Sequence, residues 1–261
     1  MNGEAPIKKL GQHWLYDPDT LNAICEAAQL DKQDVVLEVG PGLGTLTQLL
    51  VEHAKQVIAV EMDSRLAKNL ADRIVAKNLQ VVQQDILSFD LSSLPKKYKV
   101  VANIPYYLTN NLLRKLCESS NPPQQIALLV QKEVAERITA EPGGMSLLSV
   151  SAQFYNEVSK GMMVPAELFE PPPKVDSQII SLVRRPKPLF LDIDTKEFFR
   201  VVKAGFSQRR KKLRSSLSAG LHISKSQSEE LIADAKLSPS ARPQELSLDQ
   251  WHQLCVVVKE A

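Results

Sequence analysis

The chain has 261 residues, of which 44% are hydrophobic and 24% charged, enough to bury a sizeable core in one large domain or two. No apolar run approaches a membrane-spanning length, and Cys25, Cys117 and Cys255 are isolated, which argues against a disulfide framework or a Cys/His zinc site. The net charge of +2 is uneven: from Ser181 onward fifteen Lys/Arg face nine Asp/Glu, a net of +6 that leaves −4 for residues 1–180, and this asymmetry suggests an acidic polymer docked on the C-terminal part.

Met1 to Leu10 carries neither the apolar core of a secretion signal nor the Arg/Ser bias of a transit peptide, so a cytoplasmic protein is expected. The basic stretch Lys8-Lys9-Leu10 leads into Gly11-Gln12-His13-Trp14-Leu15, an aromatic anchor. No second His or Cys stands near His13, so a metal role is not expected. Asp17 to Leu30 has apolar residues at Leu21, Ile24, Ala27 and Ala28, a helical spacing.

Asp34 to Val39 reads as a strand that runs into Gly40-Pro41-Gly42-Leu43-Gly44, with Thr45 expected to cap a helix over Leu46 to Val51. Glycines at such a bend let a ligand approach the backbone. A second strand, Val57 to Val60, ends at Glu61, which stands 21 residues beyond Gly40, where a βαβ nucleotide site places its ribose acceptor. A third, Leu79 to Val82, is followed by Asp85, a candidate acceptor for an exocyclic adenine amine. The fourth, Lys99 to Ala102, delivers Asn103-Ile104-Pro105-Tyr106 to the same edge. There Asn103 offers a carbonyl acceptor, Pro105 stiffens its neighbours, and Tyr106 supplies a stacking face. That set suits an aromatic amine, which needs acceptors and a platform. Tyr107 is expected to pack.

The loop is Gly-x-Gly-x-Gly with no Lys-Ser/Thr after it, which argues against both a phosphate-gripping loop and the usual dinucleotide fingerprint. A phosphate-free nucleoside such as S-adenosylmethionine fits better. Further on, Gln125 to Val130 and Gln178 to Val183 read as closing strands, and Arg184 to Leu189 as a linker. Helical patterns follow at Thr195 to Phe206, Leu213 to Leu217, Ser226 to Ala235 and Ser247 to Val258. Seven basic residues and no acid lie between Arg200 and Arg214. The expected fold is α/β, a seven-stranded, mostly parallel sheet over residues 1–186, followed by a small helical domain over 187–261.

With these stretches in view, the chain resembles the rRNA adenine N6-dimethyltransferase family of the KsgA type, a class I (Rossmann-like) methyltransferase family. The likeness is carried by the Gly11–Leu15, Glu38–Gly44, Glu61–Asp63, Asn103–Tyr106 and Gln131–Ala135 stretches, by Phe169-Glu170-Pro171-Pro172-Pro173-Lys174-Val175-Asp176-Ser177, and by Phe206–Arg214, in the family's order. The resemblance implies cofactor contacts at His13, Leu15, Gly40, Glu61, Asp85 and Asn103, and catalytic roles for Asn103, Pro105, Tyr106 and Phe169. Tyr106 and Phe169 are the expected stacking faces for an extruded adenine. Arg209, Arg210, Lys211, Lys212 and Arg214 are the expected RNA-phosphate contacts. It implies S-adenosylmethionine-dependent dimethylation of two adjacent adenines near the 3′ end of small-subunit (16S) rRNA during ribosome biogenesis, by a monomer acting on immature small subunits without membrane or metal. The alternatives are an Erm-type methyltransferase of large-subunit (23S) rRNA and an rRNA-binding assembly factor without activity. The segment Glu141–Ser149 has Leu147 where an Arg is frequent in the family, which weakens RNA contact from that loop.

Overall fold

A computed structural model describes residues 11–208 and 210–261, so Lys8-Lys9-Leu10 and the expected phosphate contact Arg209 lie outside the described residues. The chain forms two units, residues 11–136 with Asn156–Arg184, and Arg137–Tyr155 with Arg185–Ala261.

In the first unit, β1 (Trp14–Leu15) precedes α1 (Pro18–Ala27), and strands β2 (Val35–Val39), β3 (Gln56–Glu61), β4 (Leu79–Gln83), β5 (Lys99–Asn103) and β6 (Gln125–Gln131) run parallel. Two further strands, β7 (Asn156–Val164) and β9 (Ser177–Arg184), join antiparallel, while the short β8 (Phe169–Glu170) pairs only with β1. The seven-stranded order is β4-β3-β2-β5-β6-β9-β7. The chain therefore builds outward from β2 in one direction, then restarts with β5 on its other side. This reversal opens a crevice at the carboxyl ends of β2 and β5, where sheets of this kind hold ligands. Register Glu38↔Val101 brings Gly40 and Asn103 to neighbouring strand ends.

Consecutive residues Val36 and Leu37, Val100 and Val101, and Ala127 and Leu128 are all 0% exposed, so both faces of the sheet are covered. On one face, Leu21 and Ile24 of α1 and Leu46 and Leu50 of α2 (Thr45–His53) cluster with Val36, Val57, Val101 and Ala127. α3 (Ser64–Arg73) packs against β3 and β4, while α4 (Thr109–Glu118) follows β5 and α5 (Lys132–Ile138) follows β6. One helix start differs from expectation. Gly44, at φ 86°, takes the N-cap position of α2 without a side-chain bond, and Thr45 is already helical. The left-handed backbone at this turn favours glycine over a capping side chain. Buried Lys99 at the start of β5 is neutralised by Asp34 at 2.8 Å and donates to the Gln29 carbonyl at 2.6 Å.

The second unit is helical. It contains α6 (Leu147–Tyr155), α7 (Thr195–Gly205), α8 (Leu213–Leu221), α9 (Lys225–Asp234) and α10 (Leu248–Glu260), with Phe154, Phe198, Leu217, Ile232 and Trp251 in its core. Asp194 caps α7, and the Ser224–Gln227 and Ser247–Gln250 boxes start α9 and α10. Residues 137–155 fall in this unit, although the expected division at 186 placed them with the sheet. The reason is apolar: Met145, Val150 and Phe154 bury against the helical core, and Phe154 stacks on Phe198 with centroids 4.6 Å apart. No helix among the described residues is long and apolar enough to cross a membrane.

Candidate active site

A cavity of about 250 Å³ opens at the carboxyl ends of β2, β3, β4 and β5. It gathers Gly40 to Leu43 of the glycine loop, Glu61, Asp85 and the Asn103–Tyr106 turn, together with His13 and Leu15. Gly40, Gly42 and Gly44 all have positive φ, at 65°, 57° and 86°, and a Cβ on Gly42 would come 2.8 Å from the Trp14 ring. The loop therefore depends on the missing side chains both for its bend and for the approach of Trp14.

Glu61, at the end of β3, is 7% exposed. Its Oε2 accepts from the Gly42 N–H at 3.2 Å and its Oε1 from the Asp63 N–H at 2.8 Å, tying the acid to the glycine loop. Burial raises its pKa, against the pull of those backbone donors and with a smaller push from the Asp63 charge. Asp63 itself caps α3 and pairs with Arg65 at 2.8 Å, and those Arg65 bonds hold its carboxyl below the ordinary value. Asp85 is half-buried at the end of β4, with Oδ1 accepting from the Leu87 N–H at 2.9 Å. The same carboxylate thus shapes its turn and borders the cavity.

Glu38 also lines the cavity, and the sequence reading passed over it as part of a strand. It is 1% exposed and its Oε2 has no hydrogen-bond partner among the described residues. Burial pushes its pKa up to about 8, the Thr47 hydroxyl beside it draws it down a little, and the Glu61 charge adds to the rise. The signal was available: Glu38 is the one charged residue in the apolar run Val35–Val39. Met62 and Leu87, each just past a strand-end acid, border the cavity as well, 56% and 38% exposed.

Asn103 and Pro105 are half-buried at the end of β5. Pro105's carbonyl accepts from the Leu108 N–H at 3.0 Å, closing the 3-10 turn Tyr106–Leu108. Tyr106 points inward. Its hydroxyl bonds Ser177 Oγ at 2.8 Å, and its ring stacks on His13 with centroids 5.9 Å apart and planes 24° apart. Burial raises the Tyr106 phenol, partly offset by the Ser177 bond. His13 Nδ1 donates to the Pro171 carbonyl at 2.6 Å, an acceptor-only group. His13 thus braces Tyr106 and ties it to the Pro171–Pro173 run.

Two expected residues, Phe169 and Tyr107, are placed differently. Phe169 does not border the cavity; it is 4% exposed in the core cluster with Leu15, Val164 and Ile179. The β1–β8 ladder pairs it with Leu15, and this pairing turns its side chain into the apolar interior. Leu15, 2% exposed, belongs to the same core and meets the cavity from its inner side. Tyr107, expected to pack, is 60% exposed at the cavity. In the helical unit, Arg210, Lys211 and Lys212 are exposed between α7 and α8, whereas Arg214 is ion-paired to Glu229.

Among the described residues, those bordering the cavity include Glu38, Glu61 and Asp85 but no Lys or Arg. Such a lining disfavours phosphate and favours a cationic, phosphate-free ligand. S-adenosylmethionine, a phosphate-free sulfonium, is a ligand of that kind.

The family model "Ribosomal RNA adenine dimethylase" matches residues 6–260. The chain is 40% identical over 257 residues to the ribosomal RNA small subunit methyltransferase A of Dehalococcoides mccartyi, covering 97% of this chain and 88% of that protein. It is also 40% identical to the protein of the same name from Streptococcus uberis, over 97% of this chain and 92% of the relative. Among solved structures, a dimethyladenosine transferase from Plasmodium falciparum superposes with TM-score 0.81 at 26% identity, covering 95% of this chain and 98% of the other. A 23S rRNA methyltransferase, ErmE, superposes with TM-score 0.77 at 30% identity, covering 94% and 99%. With strand ends that converge on one acid-lined cavity, and a family match that spans both units, the chain belongs to the ribosomal RNA adenine dimethylase family.

Proposed function

We propose that this protein transfers methyl groups from S-adenosylmethionine to the N6 amines of two adjacent adenines near the 3′ end of small-subunit rRNA, acting as a cytoplasmic monomer on immature small subunits. The observation that carries the reading is the meeting of Asn103, Pro105 and Tyr106 with Glu61 and Asp85 in one cavity whose described lining carries three carboxylates and no Lys or Arg. The small-subunit assignment rests on the 40% identity to relatives that bear that name, beside 30% to the large-subunit enzyme.

When bound, S-adenosylmethionine supplies an electrophilic methyl on a sulfonium. The chain's own residues prepare the adenine. The amine lone pair is conjugated with the ring, so the site must pyramidalise nitrogen rather than deprotonate it. Asn103 Oδ1 accepts one amine hydrogen. Of the two backbone carbonyls that could take the other, Pro105's already accepts from Leu108, so Ile104's is the freer second acceptor. Pro105 stiffens this turn, and Tyr106, pinned by Ser177 and His13, holds a flat flank beside the base. Alignment of amine and methyl then supplies much of the rate. Glu61, buried and oriented by two backbone N–H groups, fixes the ribose end.

The test is methyl transfer from labelled cofactor to immature small subunits and, separately, to large subunits, with nucleoside analysis of the product. Dimethyladenosine in small subunits only is expected; label in large subunits instead would move the protein to the other branch. Glu61→Gln should weaken cofactor binding by roughly ten- to a hundredfold in calorimetry, the value of one charged hydrogen bond of about 1.5–3 kcal/mol.

A further inference from the structure

The two faces expected to hold an extruded base are not equally open. Phe169 is in the core, and Tyr106 has one face against His13 and its hydroxyl on Ser177. The 3-10 turn that carries Tyr106 carries Tyr107 next, and in a helix of three residues per turn adjacent side chains point about 120° apart. Tyr106 turns inward, Leu108 is buried, and Tyr107 is left facing out at the cavity lip, 60% exposed. It is the most exposed of the large apolar side chains at the cavity, ahead of Met62 and Leu87.

Its position is nonetheless defined. A Cβ on Gly11 would lie 3.6 Å from Tyr107 Cδ1 and 3.8 Å from Cε1, so the Gly11 backbone passes along the ring and supports it from one side. Partial burial, with the charges of Asp85 and Glu61, raises the phenol pKa, which keeps the ring neutral. A braced, neutral, largely solvated aromatic ring beside a base-sized cavity is a stacking surface without an occupant from the described residues.

We propose that Tyr107 is the platform for the nucleobase adjoining the adenine held at Asn103, so that one adenine of the adjacent pair enters the cavity while its neighbour stacks at the lip. This rests on the rRNA-methylating reading above. It assigns two consecutive tyrosines separate duties: Tyr106 flanks the reacting base inside, and Tyr107 sets which nucleotide of the strand is presented. Tyr107 is then a positioning residue for RNA, with no part in the methyl transfer itself.

Two variants separate the aromatic face from bulk and from the hydroxyl. Tyr107→Leu keeps apolar volume and removes the ring; Tyr107→Phe keeps the ring. Methyl transfer to immature small subunits is measured over a range of RNA concentrations, beside calorimetry with S-adenosylmethionine. A short RNA with 2-aminopurine next to the target adenine reports stacking by fluorescence. Tyr107→Leu should raise the KM for RNA by roughly five- to a hundredfold, with the maximal rate and cofactor affinity unchanged. It should also abolish the fluorescence quenching, and Tyr107→Phe should restore both readouts. An unchanged KM and unchanged quenching in Tyr107→Leu would overturn the proposal. So would a matching loss of cofactor affinity, which would make the ring a cover for the cofactor. A wild-type protein that leaves rRNA adenines unmethylated would instead bring down the reading on which the proposal rests.

Discussion

Glu38 shows how one residue sets a condition on the whole site. Its carboxyl sits 1% exposed among apolar neighbours, with Glu61 close enough to oppose its ionisation. In the unfolded chain the group titrates near 4.5; in the native protein burial lifts it to about 8. Between those values the native state holds a proton that the unfolded state has lost. The contribution of Glu38 is therefore fully present below 4.5 and is lost as pH rises through 8. Each pH unit in that window removes at most about 1.4 kcal/mol. Glu38→Gln keeps the shape and has no proton to lose. Urea unfolding at several pH values from 5 to 8 should show the mutant gaining on wild type as pH rises. Burial is the larger cause of the shift and the Glu61 charge the smaller, so the difference follows mainly Glu38. A mutant-to-wild-type gap that does not change with pH would mean that Glu38 ionises normally. The same chemistry bears on the site: a neutral Glu38 can release its proton when a cationic ligand arrives beside it.

Among the elements, the pair α7 and α8 depends on a close approach that only glycine permits. A Cβ on Gly220 would lie 2.5 Å from Ala204 Cα and 2.9 Å from its carbonyl oxygen, both backbone atoms that cannot swing aside. Gly220→Ala should therefore destabilise the helical unit by about 1–3 kcal/mol through overpacking, although alanine is the better helix former. Thermal unfolding followed by circular dichroism checks the sign; a melting temperature equal to or above wild type would show that the helices separate freely. The caps of α9 and α10 were readable in the sequence, because Ser224 and Ser247 each precede a Gln by three residues, although the expected helix from Ser226 began past the first of them. The start of α2 was not, since Thr45 has the right chemistry and stands one place too late, after Gly44 has already made the turn.

For the molecule as a whole, charge is the property that separates the units. The exposed Arg210, Lys211 and Lys212 belong to the helical unit, and the acid-lined cavity to the sheet unit. Replacing these three bases with serine should flatten the salt dependence of binding to small subunits by about 0.7–0.9 log units of slope per lost phosphate contact. Calorimetry with S-adenosylmethionine should not change. Arg214 is left in place, because its guanidinium already pairs with Glu229 and its removal would test the fold instead. An unaltered salt slope in the triple variant would reduce the cluster to a solvated surface.

The strand ends that make the site were determined by the sequence itself. An apolar run followed by Gly40, Glu61, Asp85 or Asn103 is a local pattern, and parallel strands carry whatever follows them to one edge. Tertiary structure alone decided which faces those residues turn. Phe169 looks like a platform beside a proline run, yet its ladder with Leu15, 154 residues away in the chain, rotates it into the core. Tyr107 looks like packing, yet the turn that points Tyr106 at Ser177 points its neighbour outward. Residues 137–155 read as sheet-domain sequence, yet Met145, Val150 and Phe154 find their apolar partners in the helical unit. Local patterns report what a segment can form. The direction of a side chain and the choice of core depend on partners distant in the chain, whose contacts no window of sequence contains.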